Sequence, residues 1–325
     1  MPDTSVGLIA DIGGTNARFA LCSAAGDFIS PLTLSCRDYD SLESAVREYL
    51  KRIRYQGTAI KTAAFAVACP VLEDVVSMTN CDWSFSISGL QKALELDSLT
   101  VVNDFVAQAL AVPLLAENQK VKIGSGQPAE GFPIAVVGPG TGLGVSILVP
   151  ERDGTWKALA SEGGHATMPA PFPEEERVIA SLRQEYGHVS AERVVSGMGL
   201  TNLYRTLLTL RGDESVSLPP EEISGKALAG DALCREAVQM MFGLLGTLAG
   251  NLALTAGALG GVYIAGGIIP RDGLLNMFKE SSFRIRFEAK GRFTSYLSRI
   301  PTYVMTLDYP AFLGLSGLIQ KNINN

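Results

Sequence analysis

The stretch Val6-Gly-Leu-Ile-Ala-Asp-Ile-Gly-Gly-Thr-Asn-Ala-Arg-Phe-Ala-Leu-Cys22 decides the fold class of this chain. The apolar run from Val6 to Ile12 predicts a buried strand, and Arg18 to Cys22 predicts a second one. Between them lie Gly13 and Gly14, so the order is strand, glycine turn, strand. In P-loop and Rossmann units the glycine turn opens a helix instead. The stretch therefore argues against both of those nucleotide-binding folds.

The same arrangement occurs again in the second half of the chain. Residues 134–137 and 145–149 indicate two strands, and they flank the glycine-rich turn Gly138-Pro-Gly-Thr-Gly-Leu-Gly144. Two α/β halves that each open with such a hairpin predict a duplicated actin-like (ribonuclease-H-like) ATPase fold. In that fold class we expect two lobes with a cleft between them, where the ligands bind.

Strands and helices follow each hairpin, and their positions suggest the lobe boundaries. Apolar periodicity predicts further strands at 62–67, 98–102 and 262–265, and helices at 42–53, 104–112, 174–186, 200–210 and 235–254. The segments 116–133 and 211–220 indicate loops. A last helix at 309–319, with Pro310 near its first position, is expected to pack back on the first lobe. We therefore expect a small α/β lobe at 1–113 plus 307–325 and a large α/β lobe at 114–306.

Composition excludes several classes of partner. The chain of 325 residues has 27 basic and 33 acidic side chains, a net charge of −6, without long runs of like charge. Such a balance argues against binding of nucleic acid or of an anionic membrane surface. The five cysteines are odd in number and none form a C-x-x-C pair, which predicts free thiols in a reducing compartment. The first residues lack a basic segment and a long apolar segment, so we expect no secretion signal and a cytoplasmic protein.

One apolar stretch resembles a membrane span by composition. No charged residue occurs from Ala237 to Pro270. However, the stretch contains a glycine break at Gly260-Gly261, and glycines 243, 246 and 250 fall on about one helix face. We expect a buried core helix that another helix approaches closely, followed by a short strand.

Three glycine sites are candidates for nucleotide binding. Asp11, Gly13, Gly14, Thr15 and Asn16 form the first turn, where glycines let backbone N–H groups approach phosphate oxygens and the carboxylate can hold Mg²⁺ through water. Gly140, Thr141 and Gly142 form the second turn, and the two turns together predict a phosphate clamp. Gly266 and Gly267 follow the strand at 262–265, where the adenosine could lie flat on the backbone. The alternatives are a plain hairpin turn for the first site and a helix-entry turn before Pro270 for the third.

A carboxylate in the first half is a candidate for catalysis. Asn103 and Asp104 follow a predicted strand and open a helix. A strand end of this kind lies at the ligand-binding edge of an α/β sheet. A kinase needs a carboxylate to accept the proton of the attacking hydroxyl. An N-cap is the alternative role, and it is compatible with catalysis.

Polar residues in the second half are candidates for sugar binding. Glu162-Gly163-Gly164-His165 places one of only two histidines beyond a glycine pair, and Glu192 lies further on. Carboxylates bind vicinal hydroxyls well because they accept two hydrogen bonds at once. The alternatives are a buried, hydrogen-bonded histidine for His165 and a solvated helix face for Glu192.

These features belong to a larger set of motifs that spans nearly the whole chain. The motifs are Ala10-Asp-Ile-Gly-Gly-Thr-Asn-Ala-Arg18, Ala68-Cys-Pro70, Met78-Thr-Asn80 with Trp83, Asn103-Asp-Phe105, Gly138 to Gly144, Glu162-Gly-Gly-His165, His188-Val-Ser-Ala-Glu-Arg193, Ala249-Gly-Asn-Leu-Ala-Leu254 and Ala265-Gly-Gly-Ile268. With these motifs the sequence resembles bacterial ATP-dependent glucokinases of the non-ROK group. The ROK sugar kinases share the fold but carry a cysteine-rich zinc motif, and the cysteines here are isolated.

The resemblance implies a role for each candidate residue. The implied sugar contacts are Asn103, Asp104, Glu162, His165 and Glu192, with Asp104 as the base. The implied nucleotide contacts are Ala10, Asp11, Ile12, Gly13, Gly14, Thr15, Asn16, Gly140, Thr141, Gly142, Gly266 and Gly267, and Mg²⁺ is implied at Asp11 through water. A homodimer that uses Mg²⁺-ATP is implied as well.

The sequence therefore predicts a glucokinase that makes glucose 6-phosphate and ADP from glucose and ATP. A kinase for mannose or for an N-acetylated amino sugar is the nearest alternative. A sugar sensor without turnover is a second alternative, but it would need a DNA-reading module that does not fit before the first strand. An actin-like ATPase that acts on protein partners would not need the sugar-binding set.

Overall fold

The computed structural model describes residues 6–23, 25–57, 59–79, 81–214, 216–271 and 273–323. The strands are β1 (Val6–Ile12), β2 (Asn16–Ser23), β3 (Phe28–Ser35), β4 (Thr62–Val67), β5 (Val75–Ser77), β6 (Ser84–Ser86), β7 (Ser98–Asn103), β8 (Lys120–Ile123), β9 (Ile134–Pro139), β10 (Leu143–Pro150), β11 (Trp156–Ser161), β12 (Gly261–Ile264) and β13 (Thr302–Met305). The α-helices are α1 (Leu42–Arg52), α2 (Ile87–Ala93), α3 (Asp104–Ala111), α4 (Pro173–Tyr186), α5 (Gly197–Arg211), α6 (Pro220–Leu228), α7 (Ala232–Ala256), α8 (Leu274–Lys279), α9 (Phe283–Glu288), α10 (Thr294–Leu297) and α11 (Pro310–Ile323). The chain divides into two compact units, Met1–Leu115 with Leu307–Asn325, and Ala116–Thr306.

The first unit is built on a sheet with strand order β3-β2-β1-β4-β7. The predicted hairpin is confirmed, because β1 and β2 pair antiparallel through the glycine turn, with Asp11 opposite Arg18. Strands β1, β4 and β7 run parallel, and their register aligns Asp11 with Ala66 and Val67 with Asn103. The carboxyl ends of these three strands therefore lie at one edge of the sheet, which is where α/β proteins place their ligands.

The last helix, α11, completes the core of the first unit. It packs on α3, β1 and β4. Phe312 and Leu315 of this helix are buried against Ile9 and Ala64 of the sheet. The expectation that the C-terminal helix returns to the first half of the chain is thereby confirmed.

The second unit is built on a sheet with strand order β11-β10-β9-β12-β13-β8. Strands β9 and β10 form the second predicted hairpin, with Pro139 opposite Leu143, so the turn is shorter than predicted and consists of residues 140–142. The prediction of a loop at 116–133 is wrong in part, because β8 pairs antiparallel with β13. This strand has only four residues and two lysines, a pattern typical of a sheet edge and difficult to detect from periodicity.

Helix α7 is the apolar stretch that resembles a membrane span. It is long and apolar enough to cross a membrane, but 67% of its most apolar window is buried within the structure. At Gly246 and Gly250 a side chain would collide with the backbone carbonyls of Phe283 and Phe287 in α9. The predicted core helix with a glycine face for close helix packing is therefore confirmed.

Candidate active site

The turn between β1 and β2 presents free backbone amides. The Gly13 N–H donates to the Asn16 carbonyl oxygen at 2.9 Å, which closes the turn. The Cys36 N–H donates to the Thr15 carbonyl oxygen at 2.8 Å and anchors it to the chain after β3. In the described part of the chain, the N–H groups of Gly14 and Thr15 have no protein acceptor. Two unpaired amides in one tight turn are suited to receive phosphate oxygens.

Asp11 lies at the start of this turn and has a cationic neighbour that the sequence analysis did not identify. Its Oδ2 is 3.3 Å from Arg18 Nη1 across the hairpin. The Arg18 guanidinium is itself placed 5.7 Å from the centre of the Tyr309 ring. Burial raises the pKa of Asp11, and Arg18 counteracts part of that increase. The register of the hairpin could have predicted this pair, because Asp11 and Arg18 are opposite each other across the two strands.

Asn103 and Asp104 lie at the end of β7, at the same sheet edge as Asp11. The N-cap role of Asn103 is confirmed, because its Oδ1 accepts the Phe105 N–H at 2.9 Å. Its Nδ2 donates to the Cys69 carbonyl oxygen at 3.3 Å, so the amide is held from both sides. Asp104 Oδ1 also accepts the Phe105 N–H at 2.9 Å, which fixes the carboxylate at the first turn of α3.

The surroundings of Asp104 adjust its affinity for a proton. Burial, and next the negative charge of Asp11, raise the pKa of Asp104 to about 6, although hydrogen bonds to its carboxylate oppose the increase. Strands β1 and β7 are separated only by β4, which places their ends about 10 Å apart. Asp104 is thus a carboxylate that is ionised near neutral pH and yet accepts a proton readily, as a general base requires.

In the second unit, the turn between β9 and β10 also presents free amides. The Gly140 N–H donates to the Gly142 carbonyl oxygen at 2.8 Å, and the Gly197 N–H donates to the Gly140 carbonyl oxygen at 2.8 Å. No protein acceptor is found among the described residues for the N–H groups of Thr141 and Gly142. The turn therefore has the same capacity for phosphate oxygens as the first one.

Glu192 contacts this second turn directly. Its Oε2 accepts the N–H of Leu143 at 2.9 Å. A Cβ on Gly142 would lie 2.5 Å from the same oxygen, so only glycine leaves room for the carboxylate there. Glu192 belongs to a short 3₁₀ turn, Ala191–Arg193, and the alternative that it lies on a solvated helix face is wrong.

Glu162 and His165 lie on another 3₁₀ turn of the second unit, after β11. Their side chains are 63% and 60% exposed, so the alternative of a buried histidine is wrong. Glu162 Oε2 and His165 Nε2 are 3.9 Å apart, beyond hydrogen-bonding distance, and each remains able to bind a ligand. The Ala191 N–H donates to the Ala166 carbonyl oxygen at 2.9 Å, which ties this turn to the one that carries Glu192.

Gly266 and Gly267 follow β12 and approach the second turn. Gly266 has φ +83°, and a side chain on it would collide with the Pro139 carbonyl. The next helix, α8, begins only at Leu274, so the helix-entry alternative is wrong. A glycine is required at residue 266 by both conformation and space, which brings bare backbone next to Gly138 and Pro139, where the second turn begins.

The remaining motif residues have different outcomes. The described part of the Met78-Thr-Asn80 motif places Met78 in the core, where its sulphur is 3.8 Å from that of Cys69, whereas Asn80 lies outside the described residues. His188, the other histidine, shares a 2.9 Å hydrogen bond with the hydroxyl of Thr167. This bond joins His188 to the chain two residues after His165, and His188 is not among the candidate ligands. No group of three or more His, Cys, Asp or Glu side chains suited to hold a metal ion occurs in the described ranges.

Comparisons with known proteins give matches along nearly the whole chain. The family model named Glucokinase matches residues 8–322. The chain is similar to a glucokinase of Paramagnetospirillum magneticum, with 50% identity over 318 residues that cover 98% of both chains. It is similar to a glucokinase of Chromobacterium violaceum, with 48% identity over 327 residues that cover 99% of this chain and 92% of the relative. The crystal structure of a glucokinase from an Antarctic psychrotroph superposes with a TM-score of 0.87 at 37% identity, covering 98% of this chain and all of that one.

Proposed function

This chain belongs to the glucokinase family and transfers a phosphoryl group from ATP to glucose, and on that premise we propose which of its residues carry out the reaction. The two-unit structure is the actin-like fold of the sugar kinases. The observation that carries the proposal is the placement of Asp104 at the end of β7 with its pKa raised to about 6.

Asp104 is the general base. The transition state of phosphoryl transfer is loose, so the attacking hydroxyl keeps its proton until late, and a nearby carboxylate then accepts it. Asp104 accepts this proton from the 6-hydroxyl of glucose, and the oxygen forms its bond to the γ-phosphorus as the bond to the ADP oxygen breaks. Its raised pKa strengthens proton acceptance while leaving the group ionised at neutral pH.

Asn103, Glu162, His165 and Glu192 recognise the sugar together with Asp104. Support comes from their free hydrogen-bonding capacity: Glu162 and His165 are mostly exposed, and Glu192 has one carboxylate oxygen without a protein donor in the described chain. Asn103 is held by Cys69 and Phe105 in a fixed orientation, as a recognition residue should be.

The backbone of the glycine turns binds the nucleotide. The free N–H groups of Gly14, Thr15, Thr141 and Gly142 receive phosphate oxygens, within the nucleotide contacts that the family resemblance implies. The adenosine is assigned to the bare backbone at Gly266 and Gly267. A side chain on Gly266 would collide with the Pro139 carbonyl, and the space around the Cα of Gly267 is open.

Asp11 fits the role of a magnesium ligand. Burial raises the pKa of Asp11, and burial followed by the negative charge of Asp11 raises the pKa of Asp104. A cation near the two carboxylates would relieve this repulsion. The Asp11 side chain is 20% exposed, which leaves space for a water between it and the ion. When bound, Mg²⁺ neutralises charge on the phosphates.

Two further properties are proposed from the family resemblance and the cysteines. The resemblance implies a homodimer. All five cysteines are free thiols, and burial raises the pKa of Cys22, Cys36 and Cys234 to about 11. Inert buried thiols are typical of a reducing compartment, which supports a cytoplasmic location.

A coupled assay that follows ADP formation across a panel of hexoses tests the proposal. We expect the highest kcat/KM for glucose and much lower values for mannose and N-acetylglucosamine. If mannose or the acetylated sugar gave the highest value, the chain would phosphorylate that sugar in preference to glucose. Binding of glucose without ADP formation would instead indicate a sensor.

A further inference from the structure

The segment from Glu192 to Gly197 holds the second glycine turn at two points. At one end of the turn, Glu192 Oε2 accepts the Leu143 N–H at 2.9 Å. At the other end, the Gly197 N–H donates to the Gly140 carbonyl oxygen at 2.8 Å. The Glu192 carbonyl is in turn fixed by the Ser196 hydroxyl at 2.7 Å. The conformation of residues 140–143 therefore depends on where the Glu192 carboxylate lies.

The second oxygen of the same carboxylate is available to a ligand. In the part of the chain that the structure describes, Glu192 Oε1 has no hydrogen-bond donor and the carboxylate has no ion pair. The neighbouring Arg193 does not neutralise it, because its guanidinium lies 4.1 Å from the centre of the Tyr186 ring. One oxygen thus holds the turn, and the other remains to accept a sugar hydroxyl.

We infer that Glu192 is a positioning residue for the nucleotide turn as well as a sugar contact, and that it couples the binding of hexose to the binding of ATP phosphates. This inference rests on the proposed sugar role of Glu192. A hydroxyl on Oε1 reduces the freedom of the carboxylate, so Oε2 stays on the Leu143 N–H. The N–H groups of Thr141 and Gly142 are then held in place for the phosphates, and linkage requires the reverse effect as well.

Nucleotide binding in the absence of sugar separates this role from simple sugar contact. The Kd of MgADP is measured by calorimetry for the wild type, Glu192→Ala, Glu192→Gln and the matched control Glu162→Ala. Loss of one charged hydrogen bond predicts an increase of about tenfold in the Kd for Glu192→Ala. Glu192→Gln keeps an oxygen that can accept the Leu143 N–H, so its increase should be about threefold or less. Among the described residues, the Glu162 carboxylate makes no hydrogen bond to residues 140–143, and its nearest charged partner is His165. Its alanine variant should therefore bind MgADP like the wild type while it binds glucose more weakly.

A pair of glycine substitutions tests the coupling in the opposite direction. A Cβ at residue 142 would lie 2.5 Å from Glu192 Oε2 and would displace the carboxylate, whereas a Cβ at residue 140 meets nothing within 4 Å. We expect Gly142→Ala to raise the Kd of glucose, measured without nucleotide, by about tenfold, and Gly140→Ala to leave it unchanged. Circular dichroism and thermal unfolding confirm that each variant is folded.

The outcomes distinguish the inference from the proposal on which it rests. If Glu192→Ala raises the Kd of glucose but binds MgADP like the wild type, the positioning role is wrong and the sugar contact stands. If this variant raises the Kd of MgADP but leaves the Kd of glucose unchanged, the sugar contact is wrong and so is the coupling. Equal effects of Gly140→Ala and Gly142→Ala on glucose would also overturn the inference.

Discussion

Asp104 in the first unit and Glu162 in the second are both carboxylates that we assign to the same reaction, but their surroundings differ. Asp104 follows the partly buried strand β7, lies near the charge of Asp11, and has a pKa raised to about 6. Glu162 lies on a 3₁₀ turn beside His165, with 63% of its side chain exposed. Burial adjusts a group for proton transfer, whereas exposure leaves a group ready to exchange water for sugar hydroxyls. On the proposed assignments, this difference separates the base in the first unit from the exposed recognition residues in the second.

Replacement of Asp104 should have the largest effect. We expect Asp104→Asn to lower kcat by about 10²- to 10⁴-fold, the usual contribution of a general base, and to change the Kd of glucose far less. The amide still accepts the Phe105 N–H, so the start of α3 is kept. Steady-state kinetics and calorimetry of glucose binding give the two numbers. A variant with more than a tenth of the wild-type kcat would show that Asp104 is not the base.

Replacement of the exposed residues Glu162 and His165 should affect the selectivity among sugars more than the turnover of glucose. Glu162→Gln and His165→Gln are each expected to lower kcat/KM for glucose by roughly ten- to a hundredfold, because each removes a charged hydrogen bond or changes its geometry. A site that binds a hydroxyl rejects an analogue without it, so the differences in kcat/KM between glucose, mannose and 2-deoxyglucose should become smaller in these variants. The measurement is kcat/KM for the three sugars. Constant ratios in both variants would contradict a role in sugar recognition.

The pH dependence of kcat/KM should distinguish Asp104 from Glu162. Asp104 must be ionised to act, so kcat/KM for glucose should fall as the pH drops through about 6. Asp11 contributes to the raised pKa of Asp104, so Asp11→Asn should move this midpoint to lower pH, at a reduced rate. Glu162→Gln serves as the control, because it should keep the wild-type midpoint. An unmoved midpoint in Asp11→Asn would show that the charge of Asp11 does not act on the base.

The parts of this arrangement that the sequence predicts are those set by neighbouring residues. Both hairpins follow from apolar runs around glycines, and the N-cap at Asn103 follows from its position after a strand. The contact of Glu192 with Leu143 could not be predicted, because 49 residues separate the two and neither pattern identifies the other. The same holds for the buried pair of Glu175 and Arg286, which are 111 residues apart.

Isolated short elements are the other class that the sequence did not predict. Strand β8 has four residues in a segment rich in glycine, proline and polar side chains. Its extended conformation is stabilised by pairing with β13. Tertiary pairing decides such edge strands more than intrinsic preference does. The candidate residues on 3₁₀ turns, such as His165, can be recognised only through motifs, because these turns have no apolar periodicity.

The smallest expected effect concerns stability, and it sharpens the comparison between the two carboxylates. A carboxyl whose pKa is raised in the folded protein binds its proton more tightly there than in the unfolded chain, where the pKa is about 4. Its stabilising contribution is therefore complete below pH about 4 and is lost as the pH rises through about 6. Above that pH the ionised Asp104 destabilises the fold, and the proposed role as general base is what requires this ionised form.

Asp104→Asn removes this cost because the amide is neutral at every pH. We expect its free energy of unfolding at pH 8 to exceed that of the wild type by about 1–3 kcal/mol, an amount that corresponds to the shift in pKa. The gain should shrink as the pH falls towards 4, where the wild-type carboxyl is protonated in the folded state. Urea unfolding at pH 8 and at successively lower pH measures the difference, with Glu162→Gln as an exposed control that should show little gain. A gain that is independent of pH would arise from packing, and a loss at pH 8 would mean that the ionised carboxylate stabilises the start of α3 more than its burial destabilises it.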